Sequence, residues 1–330
     1  MQFKEFDYQK ELVKRAKKLA QKSQIPIVVE KRDSIRFDYK KKKKNLSIYS
    51  FVIGSRDKTA PTFGLFGGVH GLEKVGTHVI LSYLDTLFNL LNWDDNVSDF
   101  FKTHRLVTIP LINPAGMFLG KRSNANNVDL MRDAPVEADE GAPKILGGHY
   151  LSPKLPFYRG DPDSMQKESL ILEQFLIDEV FPAKVSLALD CHSGFGAKDR
   201  LWYPYAKTKN PIKDIAHYQA IEKIYNKTHP NNVYSIETQS QSYTANGDLW
   251  DHFYDQFQSN YKKNKKHLFL PWTLEMGSWL WVRKNPPQIL SSLGIFNPTK
   301  PHRLRRTLRR HKPLLNFFLR IASNHKTWNQ

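Results

Sequence analysis

Short apolar runs that alternate with helix-forming segments constrain the fold of this chain more than any other feature of its sequence. The runs are PTFGLFGG (61–68), RLVTIPLI (105–112), KVSLALD (184–190) and HLFLPWTLEM (267–276). Apolar character without alternation is typical of strands that are buried on both faces of a sheet. The sequence therefore predicts an α/β fold: a mixed, mostly parallel twisted sheet that is flanked by helices.

The segments between these runs divide into helices and loops. Apolar spacing predicts helices over 7–22, 71–91, 168–181 and 215–227. The lysine run at 40–44 is typical of a solvated hairpin tip. Residues 133–165 are rich in Pro, Gly and acidic groups and lack periodicity, so we predict a long loop there. Loops of that length usually carry function or are disordered, and gating of a site is one such function.

Composition limits the class of protein. Hydrophobic residues make up 40% of the 330, which argues for a packed core and against disorder. No apolar run reaches the roughly 18–20 residues of a membrane-spanning helix. The first twenty residues lack the apolar core of a signal peptide, and Cys191 is the only cysteine, so we expect a cytoplasmic protein without disulfides. The net charge of +18 favours anionic partners without specifying which.

The composition changes near residue 300. We expect a catalytic domain over 1–300 and a basic C-terminal segment over 301–330, in which 303–320 holds six Arg and one Lys. A solvated helix with leucines packed on the domain, a membrane-surface helix, and a site for an anionic partner such as nucleic acid all fit this pattern. Pro313 is expected to break the helix, which weakens the membrane interpretation.

Two of the predicted strand ends carry groups that bind metals. GLFGGVHGLEKVG (64–76) presents His70 and Glu73 after an apolar run, and LALDCHSGFG presents His192 after another. In open α/β sheets, sites gather at the carboxyl ends of the strands, so these side chains point to one crevice. Zinc accepts imidazole and carboxylate ligands, and a catalytic zinc takes three of them and leaves a position for water. A surface pair and a turn histidine remain the plainer alternatives.

Five motifs in order resemble the zinc carboxypeptidases of the M14 type. They are GGVHGLE, NPAG, RSNANNVDLMRD, LDCHSG and TLEMG, and they extend from residue 64 to 277. The resemblance is nearest to bacterial members that trim peptidoglycan peptides and to uncharacterised bacterial proteins. It implies the fold of that family and one zinc ion per chain held by His70, Glu73 and His192. The succinylglutamate desuccinylase and aspartoacylase family shares the ligand pattern and is the rival.

The resemblance also implies roles for residues outside the metal ligands. Glu275, at a strand end among apolar neighbours, matches the family's glutamate, and burial there would suit a general base that later acts as acid. Arg122 matches the arginine that stabilises the oxyanion, and Arg132 the one that grips the terminal carboxylate of the substrate. Asp129 matches the carboxylate that orients a ligating histidine, which we assign to His70.

The substrate-binding side is less regular. SYTANGDLWD (242–251) resembles the mobile tyrosine segment of the family, so Tyr243 is expected to cover the substrate and Trp250 to line the specificity pocket. The family commonly has Asn immediately before its second arginine, where this chain has Met131, and Asp133 follows. A thioether cannot donate a hydrogen bond to a carboxylate, and an aspartate in the pocket would repel one.

The resulting prediction is a metallocarboxypeptidase. It would hydrolyse a peptide-type amide beside a free carboxylate, with a water activated by zinc and Glu275 as the general base. The net charge mildly favours an acidic substrate, and the basic C-terminal segment could contact an anionic surface. The alternatives are an N-acyl amino acid deacylase of the aspartoacylase type and an inactive basic binding protein on the same fold.

Overall fold

The computed structural model describes residues 5–329, and the centre of this part of the chain is one eight-stranded sheet. The strands are β1 (Ile27–Tyr39), β2 (Lys42–Gly54), β3 (Thr62–Gly67), β4 (Arg105–Ile109), β5 (Val185–Ser193), β6 (Asp199–Tyr203), β7 (Tyr234–Thr238) and β8 (Leu268–Met276). Their spatial order is β1-β2-β4-β3-β5-β8-β6-β7.

The four strands predicted from apolar runs form the middle of the sheet. β4, β3, β5 and β8 are neighbours and run parallel, whereas β1, β2 and β6 are attached in antiparallel pairs. All side chains of these four strands are buried, as their continuous apolar character requires. The predicted fold class, a mixed and mostly parallel sheet between helices, is confirmed.

Helices cover both faces of the sheet. Within residues 5–329 they are α1 (Glu5–Ala20), α2 (Lys74–Leu90), α3 (Asp95–Thr103), α4 (Pro114–Leu119), α5 (Lys167–Glu179), α6 (Ile215–Thr228), α7 (Leu249–Gln256), α8 (Trp279–Lys284), α9 (Ser292–Phe296) and α10 (Pro301–Ser323). The buried apolar side chains form two clusters. None of these helices is both long enough and apolar enough to cross a membrane.

Local predictions hold with small shifts of boundaries. The lysine run does form a hairpin tip, but the turn is only Lys40 and Lys41, both with positive φ, and the remaining lysines begin β2. β5 continues past the predicted end at residue 190, so His192 lies on the strand itself. Residues 133–165 contain no helix or strand, only two isolated bridges, which confirms the predicted loop.

The expectation that Pro313 breaks the C-terminal helix is wrong, because α10 is continuous from Pro301 to Ser323. Pro313 faces solvent, where water can satisfy the carbonyl group that its missing N–H leaves free. The opposite side of the helix buries Leu314, Leu315 and Phe318 in the core, and this burial outweighs the local cost. Whether residue 300 is a domain boundary stays a prediction.

Candidate metal centre

The predicted ligands lie at the carboxyl ends of adjacent strands. β3 and β5 pair in parallel with Gly67 opposite Cys191, so the chain leaves β3 beside the end of β5. Gly68 has φ +68°, a conformation that glycine adopts without strain, and it turns the chain toward His70. Glu73 then occupies the N-cap position of α2, and its side chain makes no capping hydrogen bond. The carboxylate is therefore free to point at the crevice.

A second glycine sets how closely α2 approaches the sheet. A Cβ atom at Gly76 would lie 2.1 Å from the carbonyl oxygen of Cys191 on β5. Only glycine therefore lets the first turn of α2 rest on the end of this strand. This contact brings Glu73 to His192, and it explains the glycine that ends the stretch GLFGGVHGLEKVG.

The structure brings His70, Glu73 and His192 together, all buried. The Nδ1 atoms of the two histidines are 3.2 Å apart, and they lie 2.8 and 3.2 Å from the Oε1 and Oε2 atoms of Glu73, respectively. One potential ligand atom from each residue lies within 4.8 Å of the others. This spacing suits three ligands around a single ion.

A buried carboxylate holds each histidine from behind. The Nε2 atom of His70 lies 3.0 Å from Asp129, and that of His192 lies 2.6 Å from Asp190. Because Nε2–H donates to these carboxylates, both Nδ1 atoms present lone pairs to the centre, where the oxygens of Glu73 are also acceptors. Two imidazole nitrogens and one carboxylate that face the same space are a ligand set that zinc accepts.

The charges of the site are strongly coupled. Burial opposes ionisation of Glu73, but the adjacent His70 and His192 outweigh it and hold the pKa of this carboxyl below its usual range. Burial likewise opposes ionisation of Asp129, whose pKa is held well below normal by Arg122 and His70. Both carboxylates are therefore ionised at neutral pH, as the site requires.

Glu275 lies beside the three ligands on the next strand. It is opposite His192 in the register of β5 and β8, and its Oε1 atom accepts a hydrogen bond of 2.9 Å from the backbone N–H of Phe195. Burial, and then the negative charge of Glu73, raises the pKa of Glu275 to about 8. A carboxylate with a raised proton affinity can accept and return a proton.

Two arginines complete the polar part of the site. Arg122 donates to Asp129 (2.7 Å) and to Glu73 (3.2 Å), so its guanidinium lies against the metal ligands. Arg132 is buried, donates to the carbonyl of Met131, and approaches the hydroxyl of Tyr243 at 3.5 Å. Among residues 5–329, no carboxylate forms an ion pair with Arg132. Its positive charge is available to a ligand.

All these groups except the two outer carboxylates, Asp129 and Asp190, open into one cavity of about 640 Å³. Much of its wall is aromatic: the cavity is lined by Phe157, Phe195, Trp202, Tyr243 and Phe296. The loop over 133–165 contributes Pro143, Leu146 and Pro156 as well as Phe157. The loop therefore forms part of the wall of the site.

The structure corrects the expectation for Trp250. This residue lies in α7, is buried between Phe66 and Phe253, and is not part of the cavity wall. Its indole N–H donates instead to Asp190 at 2.9 Å. Counting from the tyrosine placed Trp250 near the pocket, but α7 turns this side chain behind the metal ligands.

The residues on either side of Arg132, Met131 and Asp133, differ in whether they face the cavity. Met131 does line the cavity, so no amide is available there to bind a carboxylate. Asp133 points away from the cavity, where its Oδ2 atom accepts the backbone N–H of Gln166 at 2.8 Å. Asp133 is therefore not placed to repel an anionic substrate. The cavity does lack the amide group that the family's Asn would supply at position 131.

Some residues of the site escaped the sequence analysis. Asp190 is two positions before His192 on one strand, so the two side chains share a face, and this spacing could have identified it. Trp202 and Gln239 line the cavity from β6 and from the turn after β7, which apolar patterning did not predict. No local signal indicated them.

Comparison with known proteins agrees with this geometry. The family model described as zinc carboxypeptidase matches residues 7–278. Carboxypeptidase SOL1 of Arabidopsis thaliana is 28% identical over 206 residues, which is 60% of this chain and 36% of that protein. Carboxypeptidase E of Caenorhabditis elegans is 31% identical over 100 residues, or 26% of this chain and 21% of that protein. The chain thus spans about a third or less of the length of these relatives.

A solved structure shares the fold. The carboxypeptidase A of Helicoverpa armigera superposes with a TM-score of 0.64 over 95% of this chain and 71% of that one. Sequence identity in this superposition is 17%, so the likeness concerns the fold alone.

Proposed function

The chain belongs to the zinc carboxypeptidase family, and from that premise we propose that it hydrolyses a peptide-type amide beside a free carboxylate. The observation that carries the proposal is one cavity in which His70, Glu73 and His192 converge while Glu275 and Arg132 face the same space. The metal of the family is zinc, and the donor set of this site fits it.

Zinc, when bound, lowers the pKa of water and polarises a carbonyl group. Glu275 would take the proton from the attacking water and then deliver it to the leaving amine. Its burial and its fixed hydrogen bond from Phe195 support this role, because they hold one carboxylate oxygen in place. Arg122 supplies a guanidinium beside the ligands for the oxygen that becomes negative during attack.

Orientation of the substrate would come from Arg132 and Tyr243. The guanidinium has no carboxylate partner of its own within the described residues, and a planar donor pair can hold a carboxylate through two hydrogen bonds. Tyr243 lies over it, with its ring centroid 5.8 Å from the guanidinium carbon. These two groups would place the terminal carboxylate so that the last amide bond faces Glu275.

The lining of the cavity supports a neutral C-terminal side chain in the substrate. Beyond the catalytic groups, the described wall carries Thr273, Gln239, Trp202 and Phe195, and no further charge. Glu237 accepts the indole N–H of Trp202 but is paired with Arg200 and does not line the cavity. We therefore favour an apolar or aromatic last residue over the acidic one that net charge suggested.

A panel of substrates tests both parts of the proposal. The zinc-loaded protein should release Phe or Leu from peptides at least tenfold faster, in kcat/KM, than Asp or Lys. It should act poorly on the amidated Phe peptide and on N-acetyl amino acids. Arg132→Gln should lose the preference for the free carboxylate over the amide. Hydrolysis of N-acyl amino acids alone would instead support a deacylase, and zinc binding without any hydrolysis would support a binding protein.

We also propose that α10 contacts an anionic surface, independently of the hydrolysis. Arg305, Arg306 and Arg309 are exposed on α10, and they form no ion pair with a carboxylate of the described residues. Clustered guanidinium groups attract phosphates, and this attraction weakens with salt. We expect the protein to bind vesicles that contain phosphatidylserine more tightly at 50 mM than at 300 mM salt.

A variant that tests this contact must change only the exposed arginines of α10, because the opposite side of the helix is buried. The triple change R305Q/R306Q/R309Q should weaken vesicle binding at least tenfold, while K41Q/K42Q/K43Q at the hairpin tip is a control of equal charge. Equal binding by both variants and the unchanged protein would remove α10 from the contact.

A further inference from the structure

We propose that Trp250 is a positioning residue for the zinc ligand His192 and acts on it through Asp190. The inference rests on zinc as the metal of the proposed function, but not on the identity of the substrate. It assigns a task to a tryptophan that lies outside the cavity, and to an aspartate of the LDCHSG motif to which the sequence analysis gave no role.

The three side chains form a continuous buried chain of hydrogen bonds. The indole N–H of Trp250 donates to the Oδ2 atom of Asp190 at 2.9 Å, and the same oxygen lies 2.6 Å from the Nε2 atom of His192. Relative exposure is 2%, 0% and 4% for the three residues. In such surroundings water does not compete, so each hydrogen bond is strong and its loss is costly.

Asp190 depends on these two donors. Its other oxygen, Oδ1, is buried and has no hydrogen-bond partner among the described residues. The only ion pair that it forms there is with His192. A buried carboxylate needs hydrogen-bond donors, and Trp250 supplies the one that does not come from the ligand itself.

The position of the Asp190 carboxylate determines the tautomer of His192. With Nε2–H donating to Asp190, the Nδ1 atom is left with a lone pair directed at Glu73 and His70. A histidine with the opposite tautomer would present a proton to the metal and could not bind it. Outer partners of this kind also raise the basicity of the imidazole, which strengthens its bond to the ion.

The position of Trp250 is itself held by packing. Phe66 at the end of β3 lies against the indole with ring centroids 5.5 Å apart, and Phe253 packs at 5.7 Å. Because Phe66 also precedes the turn that carries His70, the tryptophan is fixed by the strand that supplies the first ligand. This arrangement explains an indole, which is rigid and has one N–H, at a position where Phe would fill the space without donating.

Zinc dissociation from the loaded protein tests the inference. We would measure the rate of zinc transfer to a chelator, and the affinity by competition, with zinc alone as the probe. Trp250→Phe should release zinc about tenfold faster, and Asp190→Asn about 100-fold faster, in line with the usual effect of outer partners. Nitrogen NMR of the His192 ring in the zinc-loaded protein should show a changed Nε2 shift in D190N, because Nε2–H then donates to an amide oxygen instead of a carboxylate.

Two matched variants separate this effect from general loosening of the core. Trp272→Phe replaces a buried indole whose N–H has no hydrogen-bond partner in the described part of the chain. Trp328→Phe removes an indole hydrogen bond to the carbonyl of Ile321 on α10, away from the metal centre. Both should keep the zinc dissociation rate of the unchanged protein.

The outcomes are distinct. If Trp250→Phe releases zinc as slowly as Trp272→Phe, the positioning role is overturned. The inference is also wrong if all three variants lose zinc affinity in proportion to their loss of unfolding free energy. In that case the effect of Trp250→Phe is a general loss of stability. If the unchanged protein binds no zinc, it is the proposed function that fails.

Discussion

His70 and His192 illustrate how single residues in this protein are specified by the groups behind them. Each ring uses one nitrogen for a buried carboxylate, Asp129 or Asp190, and has the other left for the metal. Without these carboxylates, each ring could adopt either tautomer. In one of the two tautomers Nδ1 would present a proton to the metal instead of a lone pair. The ligand motif is therefore incomplete without residues that never touch the ion.

Glu275 should be essential for turnover and dispensable for metal binding. Glu275→Gln can still accept the hydrogen bond from Phe195 but cannot take a proton, so we expect hydrolysis to fall by about 10²–10⁴. Zinc content, measured by atomic absorption, should stay at one per chain because the three ligands are unchanged. Near-normal kcat in this variant would exclude Glu275 as the base.

Met131 offers a gain-of-binding test. Met131→Asn places an amide donor in the cavity next to Arg132, where a thioether now lines the wall. One added hydrogen bond to a carboxylate is worth about 1.5 kcal/mol, so KM for a peptide with a free terminus should fall roughly tenfold. The amidated peptide serves as control and should show no change. A lower KM for both peptides would mean that the amide contacts another part of the substrate.

The helix α10 shows how an element with a strongly basic sequence can belong to a core. Its arginines face solvent, while Leu314, Leu315 and Phe318 pack in the main apolar cluster. His311 is on the buried side and lies 2.8 Å from the hydroxyl of Tyr234. Alternating burial along the helix, and not net charge, decides where the element lies.

Acid should weaken the packing of α10 through His311. Burial, partly opposed by nearby Asp199, lowers the pKa of His311 to about 4 from an ordinary value near 6.5. Below pH 6.5 the unfolded chain takes up a proton that the folded chain does not, so stability is complete above pH 6.5 and is lost as the pH falls toward 4. The loss approaches roughly 3 kcal/mol.

Urea unfolding at pH 7, 5.5 and 4.5 measures this contribution. His311→Gln can still accept a hydrogen bond from Tyr234 and cannot be protonated, so its unfolding free energy should depend less on pH over this range. His302→Gln, at an exposed position of the same helix, should keep the pH dependence of the unchanged protein. Equal slopes for both variants would contradict the assignment to His311.

At the scale of the whole molecule, the metal should act as a clamp between strands. β3 with the first turn of α2, and β5, supply ligands from distant parts of the sequence, and buried acceptors face one another when no cation is present. Binding to the folded state alone stabilises it by about 4 kcal/mol at a zinc concentration 1,000 times the Kd. Chelation should therefore lower the melting temperature by several degrees.

Calorimetry with and without a chelator checks this prediction. In the unchanged protein the melting temperature should rise with zinc concentration, and in His192→Ala it should be insensitive to zinc and close to that of the chelated protein. A variant that lacks this ligand but responds to zinc equally would place the stabilising metal elsewhere.

The sequence by itself determined the four central strands, the family and the three candidate metal ligands, because local patterns carry each of them. Apolar runs specify buried strands, and the five motifs specify the family whose fold the structure shares. Cytoplasmic location stays a prediction. The proposed roles of Glu275, Arg122 and Arg132 likewise depend on the resemblance and on the experiments above.

Only the tertiary structure decided what surrounds those motifs. It placed Trp250 behind His192 instead of in the cavity, kept α10 continuous through Pro313, and built the cavity wall from β6 and the turn after β7. The physical reason is that side-chain direction and burial depend on contacts between segments far apart in the chain. Local spacing predicts which residues share a face of a helix or strand, but tertiary packing determines which other segments contact that face.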